Sequence, residues 1–318
     1  MSGVERIGLA AAAVAGAAVA VVWWRGRQAT GSPARRVGSS VGGMEYVLAG
    51  EGPRTVLMIP GGPGSSLPAW PLGPMMTRDW RHYLAAGYRV CYATRPRQMP
   101  VGHSIADMAR DYARFIREEL GGRVDLVVGE SYGGLIAFYL AANDPEVARY
   151  VVVAGAAASI PAEGREQDRR WARLRAEGRQ TEAAAIMVEV MMPGARTAWL
   201  RPLLAPVMGA MTARLRVPPG DLLVEAEAEC TFAATDILEH AQRAQVPILM
   251  VFGDADEFIP VESFDETAAV IPDCTVVRYP GQGHNASMMG DDFPRDVLAW
   301  VSRRDRTGRA GLPSERGG

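Results

Sequence analysis

The 318-residue chain has no lysine: all 34 of its basic side chains are arginine, set against 36 Asp and Glu for a formal net charge of −2. An all-arginine basic set reflects the coding bias of the source rather than a ligand. With net charge near zero and no basic stripe carrying interleaved aromatics, nucleic-acid binding has no support. Cysteine is scarce as well. Cys91, Cys230 and Cys274 lie far apart, form no C-x-x-C pair and share no metal-ligand spacing with the four histidines. An odd, scattered set argues against a disulfide framework and reads as three buried, apolar-like thiols. What remains is ordinary for a globular protein, 48% hydrophobic and 22% charged residues. That length accommodates one large α/β domain with an insertion, or two ordinary domains.

Residues 7–24 contain no charge and end in Trp23-Trp24, followed at once by Arg25 and Arg27. An uncharged run of this length is close to the roughly 17–25 residues of a membrane span, and tryptophans favour the interface. The expectation is a single N-terminal anchor, with a cleaved signal peptide ending near Ala18-Val19-Ala20 as the alternative. Arg6 precedes the run, whereas Arg25, Arg27, Arg35 and Arg36 follow it. The positive-inside tendency then predicts a domain held at the cytoplasmic face; signal-peptide cleavage would instead mean export. Residues 28–43, rich in Gly, Ser and Ala, read as a flexible tether.

The chain is organised around residues 124–140. A β-branched run over 124–128 has the character of a buried strand. It leads into Gly129-Glu130-Ser131-Tyr132-Gly133, a match to G-x-S-x-G, and then a helix-period segment with Leu135, Phe138 and Tyr139 on one face. Such a serine sits on a sharp strand-to-helix turn, with its hydroxyl exposed and the next backbone N–H, that of Tyr132, aimed at whatever the hydroxyl attacks. Gly38-Ser39-Ser40-Val41-Gly42 matches the same pattern. It lacks a buried strand before it and an amphipathic helix after it, and reads as linker.

Further strands are predicted over 44–49, 55–59, 89–94, 150–154, 247–252 and 274–279, and helices over 105–120 and 292–303. Apolar strands without alternation, interleaved with helices, imply a mostly parallel sheet covered on both faces. The core therefore spans 44–157 and 235–304, with a disordered tail over 305–318. No strand is evident in 158–234, where helical patches carry Trp171, Met187, Met191, Met192, Trp199 and Met208. This stretch is expected to form a helical lid, whose methionines would suit an apolar substrate.

A serine hydroxyl needs a base, and the base needs an orienting acid. Phe252-Gly253-Asp254-Ala255-Asp256-Glu257-Phe258-Ile259-Pro260 follows one buried strand, and Tyr279-Pro280-Gly281-Gln282-Gly283-His284 follows the last. Serine, acid and histidine thus each follow a strand end, in the chain order used on this kind of sheet. On these segments the chain resembles the α/β-hydrolase fold superfamily over about residues 44–304. The resemblance implies Ser131, Asp256 and His284 as catalytic residues, with Asp254 the rival acid and more readily a turn residue. His82, His103 and His240 lack a strand-end context.

Pro60-Gly61-Gly62-Pro63-Gly64 is similar to the His-Gly-Gly-Pro-Gly loop of proline iminopeptidases, which implies that the Gly62 N–H joins that of Tyr132 as an oxyanion donor. Pro60 stands where that motif has histidine, so a side chain that often braces the loop is missing. Ser131 sets aside dehalogenases and most epoxide hydrolases, which have Asp there. Glu130 resembles the residue before the serine in serine carboxypeptidases, but the chain lacks their length and cysteine pattern. The expected function is a serine hydrolase working through an acyl-enzyme, carboxylesterase- or lipase-like on apolar esters, with no metal or organic cofactor. One alternative is an aminopeptidase resembling proline iminopeptidase, with an acid among Glu225, Glu227 and Glu229 holding the substrate ammonium. Another is a non-catalytic binding protein on the same fold. Plain solvated charge is the simplest account of those three glutamates.

Overall fold

The structure, a computed structural model, describes residues 35–69, 72–191, 198–284, 288 and 290–310. Its sheet comprises β1 Arg35–Ser39, β2 Met44–Ala49, β3 Arg54–Ile59, β4 Tyr88–Pro96, β5 Val124–Glu130, β6 Ala148–Ala154, β7 Ile248–Gly253 and β8 Cys274–Tyr279. The strands are ordered β1-β2-β4-β3-β5-β6-β7-β8. The β1–β2 and β2–β4 pairs are antiparallel, and every later pair is parallel. β3 and β5 occupy the middle, which is why their sequences run apolar without alternation.

The helices are α1 Gly73–Met76, α2 Trp80–Ala85, α3 Ile105–Glu119, α4 Tyr132–Asn143, α5 Ala162–Ala176, α6 Gln180–Met191, α7 Arg201–Thr212, α8 Pro219–Thr231, α9 Ala234–Gln242, α10 Val261–Val270 and α11 Asp292–Ala310. A capping box starts α3: Asp107 N–H donates to Ser104 Oγ at 3.2 Å, while the Asp107 carboxylate accepts from Ser104 N–H at 2.9 Å. Two apolar cores cover the two sheet faces. One joins α3, α4 and α10 through residues such as Phe115, Phe138 and Phe264. The other holds Trp80, Tyr83 and Trp300 against the opposite face. The insertion α5–α8, between β6 and β7, has a small core of its own around Trp171, Leu174 and Leu222, with Met187 packed against it. Met187 is therefore partly buried against the insertion's own core.

Three sequence expectations need correction. Residues 35–39 form an edge strand rather than tether: Arg35 pairs with Ala49 and Ser39 with Glu45. The decoy G-x-S-x-G becomes the turn of this hairpin, where Ser40 Oγ accepts from Met44 N–H at 3.1 Å. The last helix runs to Ala310, beyond the expected end of the core at 304. Asp305 holds it there, accepting from Tyr150 Oη at 2.9 Å and pairing with Arg149 at 2.7 Å. The membrane-anchored location is also overturned: among the described residues no helix is long and apolar enough to cross a membrane. The run at 7–24 that prompted it lies outside the described residues, as do 28–34 of the tether and 311–318 of the tail.

Candidate active site

The turn between β5 and α4 is built by its neighbours. A Cβ on Gly129 would come within 2.3 Å of Gly133 O, and one on Gly133 within 2.2 Å of Ile59 O. Only bare residues allow strand and helix to approach this closely. Ser131 itself is held at φ 49°, a region non-glycine residues seldom occupy. As N-cap of α4 its hydroxyl makes no capping bond, which leaves Oγ for other partners.

Ser131 Oγ lies 3.0 Å from His284 Nε2. On the other side of the imidazole, Nδ1 lies 2.7 Å from Asp256 Oδ2. A carboxylate only accepts, so Nδ1 carries the proton and Nε2 presents its lone pair to the serine. Asp256 Oδ1 accepts from the N–H groups of Phe258 at 2.8 Å and Ile259 at 3.0 Å, locking the carboxylate in place. Side-chain exposure is 6% for His284 and 1% for Asp256, so the pair is sheltered from water. Asp254 is exposed and accepts from Gly281 N–H at 2.6 Å, as a turn residue does. His82 pairs with Asp291 and His103 with Asp111, while His240 bonds the carbonyl of Asp236. Among the described residues no group of three or more His, Cys, Asp or Glu is placed to hold a metal ion.

The loop after β3 lies against this turn. A Cβ on Gly61 would meet Glu130 O at 2.9 Å, and Gly62, at φ 61°, has open space around its Cβ position. The loop does have a brace, and sequence reasoning missed it. Arg95, at the end of β4 and wholly buried, donates from Nη1 to Pro60 O at 2.8 Å and from Nη2 to Gly62 O. Its guanidinium stacks 4.6 Å from the Tyr132 ring centroid and pairs with Glu225 of α8 at 2.9 Å. Burial alone would push the Arg95 guanidinium down, but Glu225, with Tyr112 and Tyr132, carries it well above its ordinary value. Glu225 also accepts from Gly64 N–H. Both ends of the loop are thus tied to one buried ion pair. The sequence signal was faint: an arginine one residue beyond the apolar strand residues Val90-Cys91-Tyr92-Ala93, after Thr94.

Buried charge also corrects the view of the insertion glutamates as solvated. Glu225 and Glu229 are fully enclosed, and only Glu227 is exposed. Burial raises the Glu229 carboxyl well above the carboxylate range, and its neighbour Asp168 on α5 raises it further. Asp168 is likewise raised by burial, although its bond to Glu229 and the nearby His284 both work the other way. Burial and mutual repulsion thus both favour the protonated form of Glu229.

Beneath the serine turn, burial pushes the Glu130 carboxyl up to about 7, with Asp79 adding repulsion. A carboxyl that is raised in the folded state binds its proton more tightly there than when unfolded. Its stabilising contribution is complete below the unfolded value and is lost as pH rises through the folded one. Wild-type melting temperature should therefore fall between about pH 4.5 and 7, and Glu130→Gln should flatten that fall. An unchanged pH profile in thermal melts of Glu130→Gln would refute this.

A family model described as "alpha/beta hydrolase fold" matches residues 54–291. Among solved structures, a hydrolase from Pseudomonas aeruginosa PA01 superposes with TM-score 0.66 at 20% identity, covering 84% of this chain and 98% of that one. The enol-lactonase from Burkholderia xenovorans LB400 gives 0.64 at 19% identity, covering 84% and 100%. An esterase from Exiguobacterium antarcticum gives 0.63 at 17% identity, covering 84% and 98%. At these identities the likeness is one of fold. The non-heme chloroperoxidase CPO-A1 of Kitasatospora aureofaciens is 30% identical over 76 residues, which span 23% of this chain and 28% of that protein's length.

Proposed function

Because the chain belongs to the alpha/beta hydrolase fold family, we propose that it is a serine hydrolase that cleaves apolar carboxylic esters through an acyl-enzyme. The observation that carries this is the hydrogen-bonded line from Ser131 through His284 to Asp256. His284 Nε2 takes the hydroxyl proton as Oγ bonds to the ester carbonyl carbon. The carbonyl oxygen gains negative charge and is held by the N–H groups of Gly62 and Tyr132. Asp256 stabilises the imidazolium without taking its proton. The tetrahedral adduct collapses, the C–O bond to the alcohol breaks, and the leaving alkoxide takes the proton from His284. Water then attacks the acyl carbon by the same route, releasing the acid and restoring Ser131.

An apolar substrate suits the surroundings of the histidine. The Phe258 ring lies 5.1 Å from the imidazole, and Met288 borders Gly155 beside it. The direct test is a fluorophosphonate probe, which should label the wild type and not Ser131→Ala. Undiminished labelling of the variant would remove the serine assignment. Absent labelling of the wild type, with no turnover of any activated ester, would favour a binding protein on the same scaffold.

One observation supports a second reading as an aminopeptidase. Glu225 is consumed by Arg95, but Asp168, which interacts electrostatically with His284, and its neighbour Glu229 are the acids that would meet a substrate ammonium. Rates on p-nitrophenyl esters are expected to rise with acyl length and to respond little to Glu229→Gln. Efficient cleavage of proline p-nitroanilide, lost in Glu229→Gln, would decide for the peptidase.

A further inference from the structure

A cleft of about 570 Å³ opens where the insertion meets the antiparallel edge of the sheet. That is within the size range of small-molecule sites. Ser131, Gly62, Asp256 and His284 are not among its lining residues. Its walls are the α5–α6 corner, the connection from α7 to α8, and Glu45 and Arg97 of the core. Three arginines line it, Arg97, Arg175 and Arg216, against one carboxylate, Glu45. Glu45 is committed to Arg97, whose Nε lies 2.8 Å away. Arg216 is exposed at the rim.

Arg175 stands apart. It is 8% exposed, and its Nη2 donates only to carbonyls, those of Thr212 at 3.1 Å and Leu215 at 3.3 Å. Its guanidinium lies 5.2 Å from the Trp171 ring centroid. The Nε–H is buried without an acceptor among the described residues. Burial lowers the guanidinium's pKa, and no carboxylate among the described residues offsets it. A buried cation without a counter-ion is costly, and an anion placed beside it would offset that cost. Of the remaining lining only Gln180 is polar, and Leu215, Val217, Pro218, Pro219 and Leu222 form an apolar stretch. A ligand here needs a negative head to meet the buried cation and an apolar body to cover that stretch.

We propose that this seam binds a small amphipathic carboxylate, its head against Arg175 and Arg216 and its body on Leu215, Val217 and Leu222. The site is independent of the reaction proposed for Ser131 and stands whether or not that serine is the nucleophile. Leu222 also touches the position of Gly64 in the loop beside the serine. It sits one turn before Glu225 on α8, so an occupant lies next to the Arg95–Glu225 brace.

Calorimetric titration of the full chain with sodium octanoate tests the proposal. One equivalent should bind, while octanol and octylammonium bind about tenfold more weakly or not at all, the usual scale for one charge-assisted contact. Arg175→Met should weaken octanoate about tenfold or more. The rim variant Arg216→Gln should weaken it about threefold, as a partly screened charge does, without altering the melting temperature. Hydrogen exchange should show octanoate protecting residues 175–180 and 213–222. Octanol binding as well as octanoate would overturn the proposal, as would indifference to Arg216→Gln or protection confined to 129–133 and 282–284. Should Arg175→Met fail to fold, Arg216→Gln and the exchange pattern decide.

Discussion

Ser131→Ala is expected to lower kcat on an activated ester by about five orders of magnitude, the scale on which such serines act when base and acid are intact. His284→Ala should cost about the same, and the double variant little more, because the two act as one unit. Asp256→Asn should cost about 10⁴-fold, since an amide at that position favours the wrong imidazole tautomer. Asp254→Asn should stay within about twofold, as expected for a surface turn residue, because its contact is to Gly281 N–H. Steady-state kinetics on one p-nitrophenyl ester, with melting temperatures to confirm folding, ranks all four. A larger loss for Asp254→Asn than for Asp256→Asn would exchange their roles.

Arg95→Met should damage stability and activity together. The substitution leaves Glu225 buried and without its cation, a situation that costs about 3–5 kcal/mol. It also releases the carbonyls of Pro60 and Gly62, so the Gly62 N–H loses its fixed position. Loss of one oxyanion donor costs about 10²–10³-fold in kcat, and a similar loss is expected here. Arg95→Lys should not rescue it, because a point charge cannot span two carbonyls and a carboxylate as a planar guanidinium does. Adding Glu225→Met to Arg95→Met should recover much of the stability by removing the stranded charge, yet little of the activity. Denaturant titration and kcat measured on the same samples separate the two effects. Full activity in the stabilised double variant would show that the pair serves packing alone.

The same pair explains how the loop is held without the histidine that Pro60 replaces. In the loop motif the brace would come from the neighbouring residue. Here it comes from β4, 35 positions along the chain, and is anchored by α8. Glu225 is thereby committed to Arg95, whereas Asp168, the neighbour of Glu229, interacts electrostatically with His284.

Much of the fold was legible because its signals are local. Strands β2 and β8 fall where the apolar runs placed them, and the other core strands differ from expectation by only a residue or two at either end. Gly129, Gly133 and the positive φ of Ser131 belong to one five-residue turn, and a turn writes its requirements into adjacent positions. The acid and histidine segments were legible for the same reason, since each follows a strand end. Tertiary structure alone decided the rest. Strand β1 exists because residues 35–39 find β2 as a partner, which composition cannot reveal in a Gly- and Ser-rich stretch. Helix α11 extends past residue 304 because Asp305 reaches Tyr150 and Arg149 on β6, far back in the chain. Glu225 and Glu229 look like solvated charge beside their neighbours in sequence. Their neighbours in the fold are Arg95 for one and Asp168 for the other, brought in from strand β4 and helix α5. A charge's partner across the fold sets whether it is exposed, paired or strained, and no spacing along the chain encodes that partner.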